Sequence, residues 1–142
     1  MAIPTVPTLN QGEALSTGAM CWRRTFPGRA EQAAHVRRFV AFLLDDFPKA
    51  DDAVQAAGEL AANAIQHTRS AAPGGLLVVE VRRCPGHVAV SVTDQGGPNE
   101  PRLTEADLLA GHGLGLHLVA DTATEWRWRG DATGRTVTAL FG

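Results

Sequence analysis

Gln55, Glu59, Asn63 and His67 recur at four-residue intervals in the middle of the chain. On an α-helix that spacing lines up all four along one face. Leu60, Ala61, Ala64 and Ile65 fall mostly on the other side. An ordinary amphipathic surface helix has the same pattern, so the chemistry rests on the residue types. A side-chain amide oxygen is a hard, neutral ligand suited to Mg²⁺, an ion that keeps several waters and takes other ligands from phosphates. Asn63 fits that role. A carboxylate one turn earlier can polarise a hydroxyl or water aimed at a terminal phosphate, which makes Glu59 the candidate base. His67 suits packing or capping at the helix end better than ligation.

Two glycine-bearing segments follow. Asp94-Gln95-Gly96-Gly97-Pro98 places a carboxylate at the end of an apolar, β-rich run. This reads either as a plain Asp-initiated turn or as a base-recognition site. In the second case a buried, acceptor-only carboxylate meets the exocyclic amine of adenine, and Gly96 lets the backbone approach the base. Gly111-His112-Gly113-Leu114-Gly115-Leu116 precedes an apolar helix. Unhindered N–H groups at a helix start form an anion site suited to phosphates. The spacing is not that of a Walker loop, and no strand precedes it as a dinucleotide fold requires.

Holding these segments together takes a scaffold, and 142 residues suit one domain with one core. Residues 1–18 mix Pro4, Pro7, Gly12 and Gly18 without a sustained period and are expected to form a flexible arm, leaving 19–142 as the domain. Met20 to Phe26 alternates weakly, as an edge strand does. Val36, Phe39, Val40, Leu43, Leu44 and Phe47 trace one face of a helix over 29–47 that Pro48 stops. Asp51 or Asp52 is expected to cap a second helix running to His67. Strands are expected at 76–81 and 88–93 as a hairpin, and at 125–129 and 135–141. The stretch 95–113, with a short helix at 105–110, reads as a lid, and a third helix covers 114–123. This order predicts a two-layer α/β sandwich with a mixed, largely antiparallel sheet.

Thirteen basic and fifteen acidic residues give a net charge of −2, so no broad basic surface speaks for nucleic acid or an anionic membrane. Proteins and small molecules are the expected partners. Cys21 and Cys84 form neither a CxxC nor a Cys/His pattern, which argues against zinc or a disulfide framework. The first residues lack the charge and apolar run of a leader, and no segment reaches the ~20 apolar residues of a membrane span. A soluble cytoplasmic protein is expected.

In chain order, ELAANAIQH, TDQGG and GHGLGL resemble the N box and the two glycine boxes of the gyrase, heat-shock chaperone, histidine kinase and MutL (GHKL) superfamily. The resemblance runs from about Phe26 to Phe141. It implies a Bergerat-type fold, with helices on one face of the sheet, that binds ATP with Mg²⁺. It also implies that Glu59 is the catalytic base, Asn63 the magnesium ligand, Asp94 and Gly96 the adenine contacts, and Gly111, Gly113, Leu114 and Gly115 the phosphate loop. Val137 would line the base pocket. The small size and the helix ahead of the N box look most like the anti-sigma factor serine kinases. That branch implies a sigma factor and an anti-anti-sigma antagonist as partners, with a serine on the antagonist phosphorylated. An ATP-dependent protein-binding switch without phosphotransfer, or a histidine-kinase catalytic domain acting in trans, fits the same motifs. Relatives commonly form homodimers through the sheet, and the sequence leaves the oligomeric state open. The chain departs from the family pattern at Pro98, where a glycine is frequent, at His112, where arginine is frequent in the anti-sigma branch, and at Arg135, where threonine is common.

Overall fold

The valine-rich alternation after residue 76 builds the centre of the sheet. In the computed structural model, which describes residues 19–98, 100–101 and 114–142, with only the backbone at 114–115, β2 (Leu76–Cys84) and β3 (His87–Asp94) form one antiparallel hairpin. Pro85 and Gly86 make the turn, with Gly86 at φ 75°, a conformation glycine adopts at no steric cost. Both strands exceed the expected lengths because the alternation continues through residues with partners outside the core. Arg82 donates to Glu80 at 2.6 Å, and Arg83 donates to Asp46 at 2.5 Å. The expected arm at 1–18 and the short helix at 105–110 lie outside the described residues.

β1 (Met20–Pro27), β4 (Glu125–Asp131) and β5 (Gly134–Phe141) complete a five-stranded sheet in the order β1-β2-β3-β5-β4. Every pairing is antiparallel, which sharpens the expectation of a largely antiparallel sheet. The registers set Val79 opposite Val92, Val92 opposite Val137, and Val90 opposite both Val81 and Ala139. One face is therefore continuous hydrocarbon, because side chains two apart in a strand share a side.

That face carries α1 (Gln32–Leu43), α2 (Ala50–His67) and α3 (Leu114–Thr122). Val36, Val40 and Leu44 from the α1 segment, the Ala53, Ala56, Ala57, Leu60, Ala61 and Ala64 stripe of α2, and Leu116 and Val119 of α3 pack with the strands into one core. Each large side chain buried there contributes about 1.5–3 kcal/mol. Small alanines let α2 sit close to the sheet. Gly58 serves the same end towards α1, since a β-carbon there would lie 2.8 Å from Arg37 Cγ. No helix among the described residues is long and apolar enough to cross a membrane.

Several helix boundaries differ from the sequence expectation: α1 begins at Gln32, not at 29, and α3 ends at Thr122, not at 123. α1 ends at Leu43 instead of running to Phe47. Asp45 and Asp46 are poorly placed beside the negative end of a helix dipole, and Arg83 donates to the Leu43 carbonyl oxygen at 3.4 Å. Phe47 still reaches the core, 9% exposed, through a turn closed by its N–H on Leu44 O at 2.9 Å. At the start of α2 the cap position is Lys49, without a side-chain cap. Asp51 and Asp52 lie inside the first turn, where their charge favours the dipole but caps nothing.

The opposite face of the sheet is polar. Glu80 accepts from Arg23 at 2.7 Å and from Arg82 at 2.6 Å, and hydroxyl pairs link Ser91 to Thr138 and Thr93 to Thr136, each at 2.8 Å. Burial pushes the Glu80 carboxyl up, but the two guanidiniums outweigh it and hold the carboxyl below the ordinary glutamate range. The fold therefore favours the ionised form. This stabilisation is complete above the unfolded pKa of roughly 4.3 and is lost as pH falls through the lower folded value. Glu80→Gln is expected to cost about 1 kcal/mol or less at neutral pH, the scale of partly exposed pairs, and to flatten the acid limb of stability below about pH 4.5. Denaturant unfolding of both proteins across that range measures the difference. An unchanged acid limb would show that the pairs do not couple to folding.

Candidate functional site

The site candidates sit where α2 ends against the end of β3. On α2, Glu59 and Asn63 are half-buried, while Gln55 and His67 at the two ends of the row are exposed. The helix packs across β3, so Glu59 and Asn63 occupy the margin between core and solvent. His67 does not cap the helix. Thr68 does so, its hydroxyl donating to Ala64 O at 2.5 Å and satisfying a carbonyl that the helix end leaves open.

Asp94 closes β3 and is only 7% exposed. Its Oδ1 accepts the Gly96 N–H at 2.7 Å, a local turn bond typical of aspartate. Burial pushes its carboxyl above the ordinary aspartate range, opposed by the Gly96 N–H and by the charge of Arg135. Desolvation thus dominates over the local donors and the neighbouring cation.

Gly96 stands at φ 77°, and a β-carbon there would lie 2.2 Å from Ala132 O and 2.8 Å from Gly134 N. The tip of the β4–β5 hairpin is pressed against this turn. The same tip accepts a hydrogen bond from the Arg69 guanidinium at Ala132 O. Arg69 N–H donates in turn to Gly96 O at 2.8 Å. On the other side, a β-carbon on Gly97 would approach His67 O at 3.1 Å. The end of α2 and the hairpin tip therefore grip the turn between them.

Ser70, which follows the Thr68 cap of α2, is the hub beneath it. The residue is fully buried and lies in the 3₁₀ turn Arg69–Ala71. Its hydroxyl accepts from Gln95 N–H at 3.0 Å, while Gln95 Oε1 accepts from Leu76 N–H at 2.7 Å. Its carbonyl oxygen lies 1.6 Å from where a Gly28 β-carbon would stand and 2.0 Å from that of Gly75. The Gly and Ser content of 70–75 was a visible signal, but its partners at 28 and 95 were not.

Val137 is 4% exposed and lies opposite Val92, two residues along from Arg135, which lies opposite Asp94. Asp94, Val92, Val137 and Arg135 therefore share the helix-bearing face, and Val137 belongs to the core beside the turn. Arg135 is itself buried and donates from Nη2 to Gly97 O at 2.7 Å. Leu114 and Gly115 open α3, which packs against α2. Gly111, His112 and Gly113 lie outside the described residues. No group of three or more His, Cys, Asp or Glu suited to a metal occurs among the described residues. This donor set fits an ion that arrives with phosphate oxygens and needs a single amide ligand. The acceptor-only carboxylate and the close-approach glycine fit a base edge with an amine donor.

A family profile described as the histidine kinase-like ATPase domain matches residues 26–141. Among solved structures, one chain of the SiaB–SiaC complex from Pseudomonas aeruginosa shares the fold at 17% identity, with a TM-score of 0.56 over 92% of this chain and 94% of that one. No curated protein matches the sequence.

The grip on the turn makes position 96 intolerant of any side chain. Gly96→Ala combines a disfavoured backbone conformation with a 2.2 Å approach to Ala132 O, and is expected to cost about 1–3 kcal/mol. The alanine variant at exposed Gly86, which has open space around its β-carbon, should cost only about 1 kcal/mol. Chemical denaturation of the pair tests this, and equal losses would contradict the grip.

Proposed function

The chain belongs to the histidine kinase-like ATPase domain family, and from that premise we propose that it is an anti-sigma regulatory factor that uses Mg-ATP to phosphorylate a serine on an antagonist protein. The observation that carries the nucleotide part is the buried carboxylate of Asp94 at the end of β3, folded over a glycine held at positive φ. Asp94 would accept the exocyclic amine of adenine, Gly96 would let the ring approach the backbone, and Val137 would bound the base. Gly111, Gly113, Leu114 and Gly115 would hold the phosphates through backbone N–H groups at the start of α3.

Glu59 and Asn63 support the transfer step. They share one face of α2 a turn apart and are neither sealed in the core nor fully in water. Asn63 would ligate Mg²⁺, which when bound neutralises phosphate charge. Glu59 would orient the attacking serine hydroxyl and accept its proton. Positioning and charge neutralisation then account for most of the acceleration. The partner assignment is carried by the resemblance of the motifs to the anti-sigma branch. The solved structure of similar fold also comes from a two-protein complex.

Two substitutions separate the roles. Asn63→Ala should weaken ATP binding with Mg²⁺ present by about tenfold or more and leave binding in EDTA nearly unchanged, because the amide acts only through the ion. Equal weakening in both conditions removes Asn63 from the metal site. Glu59→Gln keeps size and shape, so ATP affinity should hold while phosphotransfer to an antagonist falls by about 10²-fold or more. Labelled ATP incubated with the protein and candidate antagonists reads this directly. Wild-type protein that binds ATP and partner but never transfers phosphate, with Glu59→Gln identical to it, would mark a switch without catalysis.

A further inference from the structure

Arg135 lies directly across from Asp94 in the β3–β5 ladder, and both are buried, at 4% and 7% exposed. A guanidinium keeps its charge at any pH the fold survives, and burying one is costly unless it is paired. Here it does two things for the turn. Through Nη2 it holds Gly97 O at 2.7 Å, anchoring the far end of the segment whose near end is Asp94. Its charge, after the Gly96 N–H, also opposes the burial that pushes the Asp94 carboxyl above the ordinary aspartate range.

The protonation state matters because a carboxylate only accepts hydrogen bonds, whereas a carboxylic acid also donates. A purine with a 6-amino group presents a donor at that edge, and a 6-oxo purine presents an acceptor. Among the other ionisable groups on the elements around the turn are Glu59 and His67 of α2, Arg69 of the 3₁₀ turn and Asp131 of the β4–β5 turn. Glu59 is half-buried and the other three are exposed. Arg69 is committed to Ala132 O, and Asp131 accepts from Thr133. Among these groups only Arg135 shares the burial of Asp94.

We propose that Arg135 is a positioning residue that sets base specificity, keeping Asp94 acceptor-only and the turn in register so that a 6-amino purine nucleotide is selected over its 6-oxo counterpart. This rests on reading residues 94–97 as the base site.

The test compares binding of ATP and of inosine triphosphate, which differs at the 6-position, to wild-type protein, R135K and R135Q from about pH 5 to about pH 8. R135Q keeps an amide donor for Gly97 O and loses the charge, while R135K keeps the charge. Wild-type protein should favour ATP by more than about tenfold near pH 8, the preference narrowing as pH falls because inosine triphosphate binding takes up a proton, and R135K should follow it. In R135Q the preference should be severalfold smaller than in wild-type protein at each pH, because Asp94 protonates at higher pH. Calorimetry in buffers of different ionisation heat adds a reading that needs no variant. Inosine triphosphate binding to wild-type protein should take up about one proton, and ATP binding none. A wild-type preference in R135Q, or no proton uptake with inosine triphosphate, overturns the role of Arg135. If wild-type protein does not distinguish the nucleotides and Asp94→Asn changes neither affinity, the base-site reading itself fails.

Discussion

The carbonyl oxygen of Ala132 stands where a side chain at residue 96 would begin, and the candidate site is organised around that close approach. The tip of one hairpin is driven into the turn that ends another strand, and each contact there occupies a backbone group that burial would otherwise leave open. Gly96 N–H goes to Asp94, Gly96 O to Arg69, Gly97 O to Arg135, and Gln95 N–H to Ser70. A net bond of this kind contributes about 1 kcal/mol, and an orphaned buried group costs more. The turn is thus held in one shape by its surroundings, which is what preorganisation for a ligand requires.

That arrangement depends on a sheet with two unlike faces. The hydrocarbon face holds the helices, and the alanine stripe of α2 packs that helix across β3. The other face is knit by arginine, glutamate and hydroxyl pairs and needs no covering layer to satisfy its polar groups. Charged side chains on the outer strands also discourage edge-to-edge pairing. The division follows from the period of two in β2, β3 and β5, with no residue of the hydrocarbon face displaced by a bulge in the ladders.

Much of this was legible in the sequence because it is written in local periods. The i+4 row of α2, the alternation of the strands and the Asp-Gly turn all came through, and the order of elements followed. The boundaries that shifted were settled by distant partners. Arg83 meets the Leu43 carbonyl oxygen at the end of α1 across 40 residues, a contact no local pattern reports, and Thr68 caps the helix end where packing or capping was expected of His67. Arg135 stood out in the sequence only as a departure from a familiar pattern. Its meaning depends on register with Asp94, which emerges only when β3 and β5 pair. Ser70 was invisible for the same reason, since its neighbours at 28, 75 and 95 come together only in the folded chain.

The pairing of β1 with β2 has a consequence for how the protein reaches its native state. β2 and β3 are joined by a tight turn and can zip locally, but β1 must find β2 after two intervening helices, with Arg23 and Glu80 separated by 57 residues. Non-local pairings of this kind slow folding because the chain loses loop entropy before the contacts compensate. The turn at 94–97 also needs distant segments, drawing on residues near 69, 96, 132 and 135 at once. The candidate site therefore rests on contacts between segments far apart in the chain, which no single hairpin can form alone.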